Sequence, residues 1–510
     1  MRFRHVAVAF DRRHRIPGAS PRSRRLGAQQ EMNGATSMDG LVGRLGRFAV
    51  ESMTRELPTD VRRDIPGRVL DILGICVRAT EESTSPVVRH FVSQQGGIGR
   101  CTAVGMGNGM PLTSAAFFNG VLAHSLDYDD THLPSILHPS ASVVPAVLAA
   151  AENYGSDPDR VTAAIAVGLE IVVRLGMAGY DESAHQSEFF EHGWHATSLC
   201  GAIGSAGAVA ALAGGSVDEC AHAMAIACSM ASGIIEANRT GGTVKRIHCG
   251  WAAQAAVSAA QLALAGLTGA PTALEGRFGF FTATVRDRWS DRPILDGLGE
   301  QWCAPSIFYK PYPANHFTHA GIDAAITLRE GGLRVEDVRS ARLGVATATV
   351  RTIGDPIDAK RNPTTGYAAQ FSGPYTVAAA LIGGGGLGLG LADFTDELAN
   401  DPVRRDVMSR ISVHGDERCD RVYPYQFPAI LTVDTVDGRT LTSEVMVNRG
   451  GPERPLSATE LRRKFEENVS GILKPSESDE VIRQAQGEQP DYVGIMRTLR
   501  TIDSLPGDER

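Results

Sequence analysis

Residues 62–80, RRDIPGRVLDILGICVRAT, decide the fold class of this chain. Apolar side chains recur there at spacings of three and four, and Pro66 suits the first turn of a helix, so that the stretch predicts a helix that begins at Pro66. The same spacing, with many Ala and Gly residues, continues to about residue 269 and predicts helices that pack closely on one another. The first half of the chain is therefore expected to be helical.

The pattern changes after residue 276, where short β-branched or alternating stretches appear. Asp437-Gly438 stands between two of these stretches and is a strong hairpin signal. Helical pieces with their own start signals lie between them, for example residues 402–409 after Asp401. This mixture predicts an α+β segment. Its expected strands are residues 342–351, 410–413, 429–436 and 441–447.

Ser457 and Glu460 match a capping box, which predicts that the chain returns to helix after residue 452. We therefore expect a mostly α protein, in which a large all-helical domain is interrupted by a smaller α+β lid domain. Residues 1–37 are rich in Arg but show neither an apolar core nor an amphipathic period, so we expect a disordered or non-native extension there. The expected domains are residues 38–271 (helical), 272–451 (lid) and 452–510 (helical return).

Composition limits what the chain is expected to bind. A net charge of −8 opposes nonspecific attraction to nucleic acid. No apolar run approaches the ~20 residues that cross a bilayer. The eight Cys contain no CxxC pair and show no secreted-scaffold spacing. We expect a cytoplasmic protein that binds neither nucleic acid nor a membrane.

Histidine and aspartate are concentrated in residues 123–142, AHSLDYDDTHLPSILHPSAS, beside an apolar helix. So many polar groups in apolar surroundings are costly unless they bind something. Similar blocks follow as HGWH at residues 192–195, KRIH at 245–248 and KPYPANHFTH at 310–319. Together the four blocks predict one dispersed site for an anionic ligand.

The first block also carries an expectation about local structure. Asp127 and Thr131 are four residues apart and would share one face if a helix over residues 113–130 continues through them. Pro134 would end that helix, and Pro139 would restart regular structure after it. His138 would then lie in a loop that is braced at both ends.

These blocks, with FSGPY at residues 371–375, resemble the MmgE/PrpD family, whose members include 2-methylcitrate dehydratase, cis-aconitate decarboxylase and an iminodisuccinate epimerase. The resemblance runs in matching order from about residue 38 to the C-terminus. It implies a helical domain interrupted by an α+β lid, and a homodimer. It further implies that the active site is lined by Asp127, Thr131, His138, His195, Lys245, Lys310 and Tyr375.

Clustered Lys and His residues suit a di- or tricarboxylate, because cations bind carboxylates and mutual repulsion lowers each pKa until one group can act as a base near pH 7. We expect His138 to be the principal acid/base and Tyr375 or His195 to deliver the proton to the second centre. Asp127 is expected to orient His138 or the ligand. The expected substrate-binding residues are Thr131, Lys245, Lys310 and His248.

The leading hypothesis is a cofactor-independent lyase that dehydrates a 2-methylcitrate-like hydroxy acid by acid/base catalysis. Decarboxylation of cis-aconitate and epimerisation of a dicarboxylate are the alternatives within the family. Two departures bear on decarboxylation: one more residue separates Thr131 from His138 than in the decarboxylase members, and Asn315 stands where those members carry a His, with His316 shifted by one. The segment before FSGPY, residues 355–370, is also longer than in other members of the family, and the alignment of Tyr375 with the family's tyrosine depends on where these additional residues are placed.

Two alternatives come from other classes of protein. A metal-dependent hydrolase would use the Asp and His residues between Asp127 and His138, or His192 with His195. The absence of an HExxH spacing and the nearby Lys residues, which would repel a cation, favour a site without metal or other cofactor. A noncatalytic helical interaction protein would show an exposed apolar groove and no turnover. The expected partners are a small polycarboxylate and a second copy of the chain in a homodimer.

Overall fold

The first half of the structure consists of helices packed on helices, as the sequence predicts. The computed structural model describes residues 38–237 and 241–502, so the expected extension at residues 1–37 lies outside the described residues. Helices of eight residues or more in this half are α1 (Leu41–Ser52), α2 (Thr59–Ala79), α3 (Ser85–Gln94), α4 (Leu112–His124), α5 (Ser140–Tyr154), α6 (Pro158–Ala178), α7 (Ala196–Leu212), α8 (Val217–Met230) and α9 (His248–Leu264). Helix α7 lies at the centre and contacts α5, α6 and α9.

Small residues allow close contact between these helices. Gly120 of α4 faces Gly250 of α9, and a Cβ atom added to Gly120 would lie 2.7 Å from the Cα atom of Gly250. Any side chain at Gly120 would therefore push the two helices apart. Since α4 leads directly into the polar block at residues 123–142, this contact helps to fix the position of that block.

Helix α2 corrects the prediction for Pro66. The helix begins at Thr59 and contains Pro66 in its interior. The apolar stripe starts before the proline, because Val61 and Ile65 are both fully buried. Burial of that stripe compensates for the backbone hydrogen bond that proline cannot donate. The prediction that the helix begins at Pro66 was wrong.

Helix α6 has 21 residues and is apolar enough to cross a membrane by length and composition. Within the fold, 94% of its most apolar window is buried. Glu170 and Arg174 in the middle of the helix form a buried ion pair at 2.6 Å. Core helices of soluble proteins and signal sequences meet the same criteria, so this helix alone is weak evidence for a membrane span.

A four-stranded sheet lies at the centre of the second half. Its strands are β1 (Val338–Val345), β2 (Ile411–Gly415), β3 (Ala429–Thr435) and β4 (Thr440–Val445). The order across the sheet is β2-β1-β3-β4; β1 runs parallel to β2 and antiparallel to β3, and β3 runs antiparallel to β4. Asp437 and Gly438 connect β3 to β4, as predicted. Gly438 has a φ of 86°, a conformation that favours glycine.

Three longer helices accompany the sheet: α10 (His319–Glu330), α11 (Gly373–Ile382) and α12 (Pro402–Ser409). Helix α10 packs against α11, β3 and β4. Asp401 caps the first turn of α12 by accepting a hydrogen bond from the backbone N–H of Arg404 at 2.8 Å, which confirms its prediction as the N-cap. The second half is thus a small α+β region beside a larger helical one, and the predicted fold class is confirmed.

The expected strand at residues 342–351 is only half correct. Strand β1 ends at Val345, and Thr347–Ile353 form a short helix. The carboxylate of Asp420 fixes the start of this helix, since it accepts hydrogen bonds from the Thr347 N–H at 2.7 Å and from the Thr347 hydroxyl at 2.8 Å. A contact from a distant residue thus overrides the β propensity of a Thr- and Val-rich stretch.

The chain ends in three helices: α13 (Ala458–Val469), α14 (Pro475–Gln486) and α15 (Tyr492–Arg500). Ser457 and Glu460 form the predicted capping box at the start of α13. Helices α13 and α14 pack against α2, and α15 packs against α5. The C-terminal segment therefore contacts the first helical half. The domain boundaries expected at residues 271 and 451 stay predictions.

Candidate active site

The loop that carries Asp127 begins where helix α4 ends. Helix α4 stops at His124, and Asp127 has a φ of 52°, in the left-handed region that an α-helix cannot contain. Asp127 and Thr131 therefore do not share a helical face, and the prediction of a helix over residues 113–130 was wrong at its C-terminal end. Regular structure resumes at Ser140, directly after Pro139, as predicted.

A short backbone pairing brings the second half of the chain to this loop. Thr131 and Phe308 form an antiparallel bridge, and each donates an N–H to the carbonyl of the other at 2.8 Å. Two residues later, Lys310 reaches Asp127. Its Nζ donates to the Asp127 carbonyl at 2.6 Å and lies 3.3 Å from the carboxylate Oδ1. The residue with the positive φ, Asp127, is thus also the residue whose carbonyl and carboxylate Lys310 contacts.

Lys245 approaches the same carboxylate from the helical side. Its Nζ lies 3.4 Å from Asp127 Oδ1. Burial alone would raise the pKa of Asp127, but Lys245 and Lys310 outweigh burial and hold the pKa well below its ordinary value. Burial likewise lowers the pKa of Lys245, but Asp127 outweighs it, so that the pKa of Lys245 is raised. One ionised carboxylate thus lies between two lysines, a charge balance that suits an additional anion.

His138 lies beside this cluster with one ring nitrogen free to react. Its Nδ1 lies 2.7 Å from the Asp130 carbonyl, which can only accept, so Nδ1 carries the proton and Nε2 carries the lone pair. Burial lowers the pKa of His138 to about 3 although Asp129 opposes it, and Lys310 adds to the lowering. His138 is therefore a neutral base near pH 7. Thr131 Oγ1 lies 3.5 Å from the same Nδ1.

His138 is the first of four imidazole rings in a row. Ring centroids are 5.1 Å apart for His138 and His124, 5.5 Å for His124 and His195, and 5.1 Å for His195 and His248. The Nδ1 atoms of His195 and His248 lie 3.0 Å apart, so one of them donates and the other accepts. Burial, followed by His124 and Lys245, holds the pKa of His195 well below its ordinary value and lowers that of His248 to about 4.

The sequence did not single out His124, and it indicated Asp129 only as a ligand of the alternative metal site. His124 Nδ1 lies 2.8 Å from Asp129 Oδ2, and the same oxygen lies 3.7 Å from His138 Nδ1. Burial alone would raise the pKa of Asp129, but His124 and His138 lower it to about 2. Asp129 is fully buried between two imidazoles. Its place in a block dense with His was the available signal.

Two buried cationic side chains, Arg68 and Lys464, bind the loop that carries Asp127. Arg68 of α2 donates to Asp130 Oδ2 at 2.8 Å and to the Ile307 carbonyl at 2.9 Å, and so links the loop to the chain that leads to Lys310. Lys464 of α13 donates to the Tyr128 carbonyl at 3.0 Å and pairs with Asp71 at 2.7 Å. Helices from both ends of the helical region therefore position the loop.

Tyr375 is not brought to this cluster. Its hydroxyl donates to the Asp393 carbonyl and accepts from Arg404 Nη1 at 2.9 Å, inside the core of the α+β region. The partially exposed tyrosine on the site side is Tyr367, whose ring lies 5.5 Å from the guanidinium carbon of Arg246, the neighbour of Lys245. The structure groups the other seven predicted residues: Asp127, Thr131, His138, His195, Lys245, His248 and Lys310.

Three of these groups could also hold a metal ion. Ligand atoms of Asp127, Asp129 and His138 all lie within 4.8 Å of one another. Each side chain already has a cationic or hydrogen-bonding partner, however: Asp127 has two lysines, Asp129 has His124, and His138 Nδ1 has a carbonyl. Because the two lysines would repel a divalent cation, the donor set fits an anion better than a metal.

The cluster is enclosed, and the large cavities lie elsewhere. Lys310 is 1% exposed and His138 is 8% exposed. A cavity of about 840 Å³ lies beside Trp194, Met230 and Phe278. Another of about 1020 Å³ lies along α2 and reaches Tyr309, the neighbour of Lys310. Neither cavity contains Asp127 or His138.

The cluster thus combines a buried neutral imidazole, two lysines on one carboxylate and a row of further imidazoles, an arrangement that suits an anionic ligand. The chain belongs to the MmgE/PrpD family. The model of the MmgE/PrpD N-terminal domain matches residues 43–291, and the model of the MmgE/PrpD C-terminal domain matches residues 312–488. The suspected resemblance is confirmed.

The chain is also similar to individual proteins of this kind. It is 30% identical to a cis-aconitate decarboxylase from Homo sapiens over 417 residues, which cover 78% of this chain and 81% of the relative. A cis-aconitate decarboxylase from Aspergillus terreus is 24% identical over 466 residues, 88% of this chain and 93% of the relative. These comparisons support a lyase-type function for the chain.

Proposed function

We propose that the protein is a cofactor-independent lyase that acts on a di- or tricarboxylate by acid/base catalysis. One observation carries the proposal: the Asp127 carboxylate lies between Lys245 and Lys310, and one of its oxygens lies within 4.8 Å of a ring nitrogen of His138. The two lysines share this one carboxylate, and each can also bind a carboxylate of the substrate. His138 then lies where a proton next to that carboxylate would have to be moved.

Dehydration of a 2-methylcitrate-like hydroxy acid is the reaction that the protonation state of the site favours. His138 would remove a proton from the carbon next to a carboxylate. The electron pair of that C–H bond would form the new C=C bond while the C–O bond breaks, and the leaving oxygen would take up a proton and depart as water. His195, hydrogen-bonded to His248 at 3.0 Å, would supply this second proton once it is protonated, and the negative charge of a bound polycarboxylate would raise its pKa. A base that is neutral at pH 7 meets the first requirement.

Decarboxylation of a cis-aconitate-like acid is the second candidate, favoured by the cis-aconitate decarboxylases among the relatives. Here the bond between carbon and the leaving carboxylate breaks, its electron pair forms a new double bond, and the far carbon of the old double bond takes up one proton. His138 would have to be protonated before it could deliver this proton. A bound polycarboxylate would raise the pKa of His138, because it adds negative charge beside the ring.

The enclosed cluster also supports a moving α+β region. Lys310 comes from the second half of the chain and the remaining charged groups come from the first half, so separation of the two would open the site. Closure over a substrate would exclude water and strengthen each contact between lysine and carboxylate. We keep as further proposals that the protein is a cytoplasmic homodimer and that it binds neither nucleic acid nor a membrane.

A panel of polycarboxylates tests the proposal. The purified protein is incubated with citrate, 2-methylcitrate, cis-aconitate and an amino- or imino-dicarboxylate. New unsaturation is followed by ultraviolet absorbance, CO₂ by trapping, and change of configuration by chiral chromatography. Unsaturation without CO₂ from a hydroxy acid would show dehydration, and CO₂ from cis-aconitate would show decarboxylation. Absence of turnover and of binding for the whole panel would refute the proposal.

A further inference from the structure

His316 is a buried histidine whose ring nitrogens have no hydrogen-bond partner among the described residues. It lies on the short 3-10 turn His316–Thr318 before α10 and is 4% exposed. Both Nδ1 and Nε2 are buried, and neither is bonded. Most other histidines around the site are bonded at one nitrogen at least, for example His319, whose Nε2 donates to the Ala314 carbonyl at 3.0 Å.

The surroundings of His316 would suit an apolar side chain. Its ring stacks on His319 with centroids 4.4 Å apart, and Phe308 and Phe427 meet it edge-on at 5.9 and 5.6 Å. A phenyl ring would fill this space without any buried polar atom. Burial of an imidazole with two unsatisfied nitrogens destabilises the folded protein. A residue that lowers stability in this way is typical of a functional site.

The position of His316 relates it to the cluster around Asp127. Phe308, which contacts the His316 ring, pairs with Thr131 and lies two residues before Lys310. Burial holds the pKa of His316 well below its ordinary value, and His319, Lys310 and His138 lower it further. The ring is therefore neutral, with one nitrogen that can donate and one that can accept. A polycarboxylate bound by Lys310 offers oxygen atoms for such a ring.

We propose that His316 is a substrate-binding residue of this site, which forms a hydrogen bond with an oxygen atom of the polycarboxylate beside Lys310. The inference rests on the proposed function and adds a residue that determines specificity. The oxygen belongs either to a carboxylate, which accepts from the ring N–H, or to a hydroxyl group, which can donate to the other nitrogen. The side chain of the preceding residue, Asn315, has a different function: it caps the turn by accepting a hydrogen bond from the Phe317 N–H at 3.1 Å.

The test compares His316→Phe with the wild-type protein. Citrate and tricarballylate are the probes, because they carry the same three carboxylates and only citrate has a hydroxyl group. We expect His316→Phe to bind citrate roughly 10-fold more weakly by calorimetry, the size expected for loss of one hydrogen bond to a charged group. Its unfolding temperature without ligand should stay equal or rise, since an orphaned polar ring has been removed.

The two probes distinguish the two kinds of oxygen. Equal weakening for citrate and tricarballylate supports a contact with a carboxylate, and weakening for citrate alone supports a contact with the hydroxyl group. His316→Gln, which keeps a donor and an acceptor, should bind more tightly than His316→Phe. His222→Phe is the control, because His222 lies on α8, accepts from the Gly269 N–H at 3.3 Å and forms no hydrogen bond with a residue of the cluster among the described residues.

Three further outcomes would overturn the inference, and they differ in what they mean for the proposed function. If the wild-type protein binds citrate and both His316 variants bind it equally well, His316 has a structural role only and the proposed function stands. The same conclusion follows if His316→Phe lowers the unfolding temperature and leaves the affinity unchanged. If the wild-type protein binds and converts no polycarboxylate, the proposed function fails and this inference fails with it.

Discussion

The segment around Lys310 and the segment around Tyr375 belong to the same α+β region, but they face different surroundings. Phe308, two residues before Lys310, exchanges two backbone hydrogen bonds with Thr131 of the loop, and Lys310 ends on Asp127. Tyr375 lies at the start of α11, where its hydroxyl is bonded to Asp393 and Arg404. One segment therefore belongs to the cluster, and the other belongs to the core behind it.

The difference between Lys310 and Tyr375 shows how a residue of the α+β region comes to contact the helical region. A buried lysine needs a partner for its charge, and the partner of Lys310 is supplied by the helical region. The hydroxyl of Tyr375 has all its partners within its own region, so nothing directs it to the cluster. Backbone pairing and an unmet charge, rather than position beside a recognisable motif, determine which residue of the α+β region reaches Asp127.

Substitution of His138 by Gln should have the largest effect on turnover, because His138, in the helical region, is the proposed base. Turnover should fall by roughly 10²- to 10⁴-fold, the usual contribution of a positioned acid/base, while calorimetry still detects the substrate. The backbone N–H of His138, which donates to the Thr197 hydroxyl at 3.2 Å, is kept in this variant, so the loop should stay folded. His222→Gln serves as control. A His138→Gln enzyme with wild-type turnover and pH profile would make His138 a structural residue.

Substitution of Lys310 by Met tests whether the α+β region contributes to binding. Loss of one charge-assisted hydrogen bond should weaken polycarboxylate binding by about 1.5–3 kcal/mol, roughly 10- to 150-fold in Kd. Lys360→Met is the matched control, since Lys360 lies in the same region and donates to the Phe371 carbonyl at 3.0 Å. Equal affinities for wild type and Lys310→Met would show that the site lies within the helical region alone.

Much of the fold could be predicted because local signals were strong. The capping residues Asp401 and Ser457 both stand at the helix starts that their sequence pattern indicated. Two of the misplaced elements share one cause, a long-range contact. Asp420 starts a helix at Thr347 where β-branched residues predicted a strand, and the lysine contacts at Asp127 accompany a turn where apolar spacing predicted a helix. Such partners lie too far along the chain for a local pattern to show them.

The site was predictable where residues come in dense blocks and unpredictable where a single residue acts from a helix. Blocks of His, Asp and Lys indicated seven residues that the fold groups together. Arg68 and Lys464, which hold the loop, occur in ordinary amphipathic helices, and their burial appears only when the helices are packed. Tyr375 shows the reverse, since a residue inside a recognisable motif was expected at the cluster and the structure places it elsewhere.

Substitution of Tyr375 by Phe tests whether the second segment belongs to the core of the α+β region. Phe would leave the Asp393 carbonyl and Arg404 without their shared partner, so we expect the free energy of unfolding to fall by about 1–3 kcal/mol. Turnover per folded molecule should change little. Thermal unfolding and kinetics on the same preparation measure both quantities. If turnover instead falls by two orders of magnitude with stability unchanged, Tyr375 reaches the substrate in a closed form and has the catalytic role that the motif predicts.

Removal of metal ions should have the smallest effect. Asp127, Asp129 and His138 are close enough to share an ion, but Lys245 and Lys310 already occupy the Asp127 carboxylate and supply the positive charge that a metal would bring. After extensive EDTA treatment, activity should stay within about twofold, well under the tenfold change that about 1.4 kcal/mol of barrier represents. Dialysis into metal-free buffer is the control for the treatment itself. Loss of activity that one particular divalent ion restores would favour the metal-dependent hydrolase instead. The segment around Lys310 would then no longer be the one that contributes to the site, because Lys310 would have to leave Asp127 for the ion to bind.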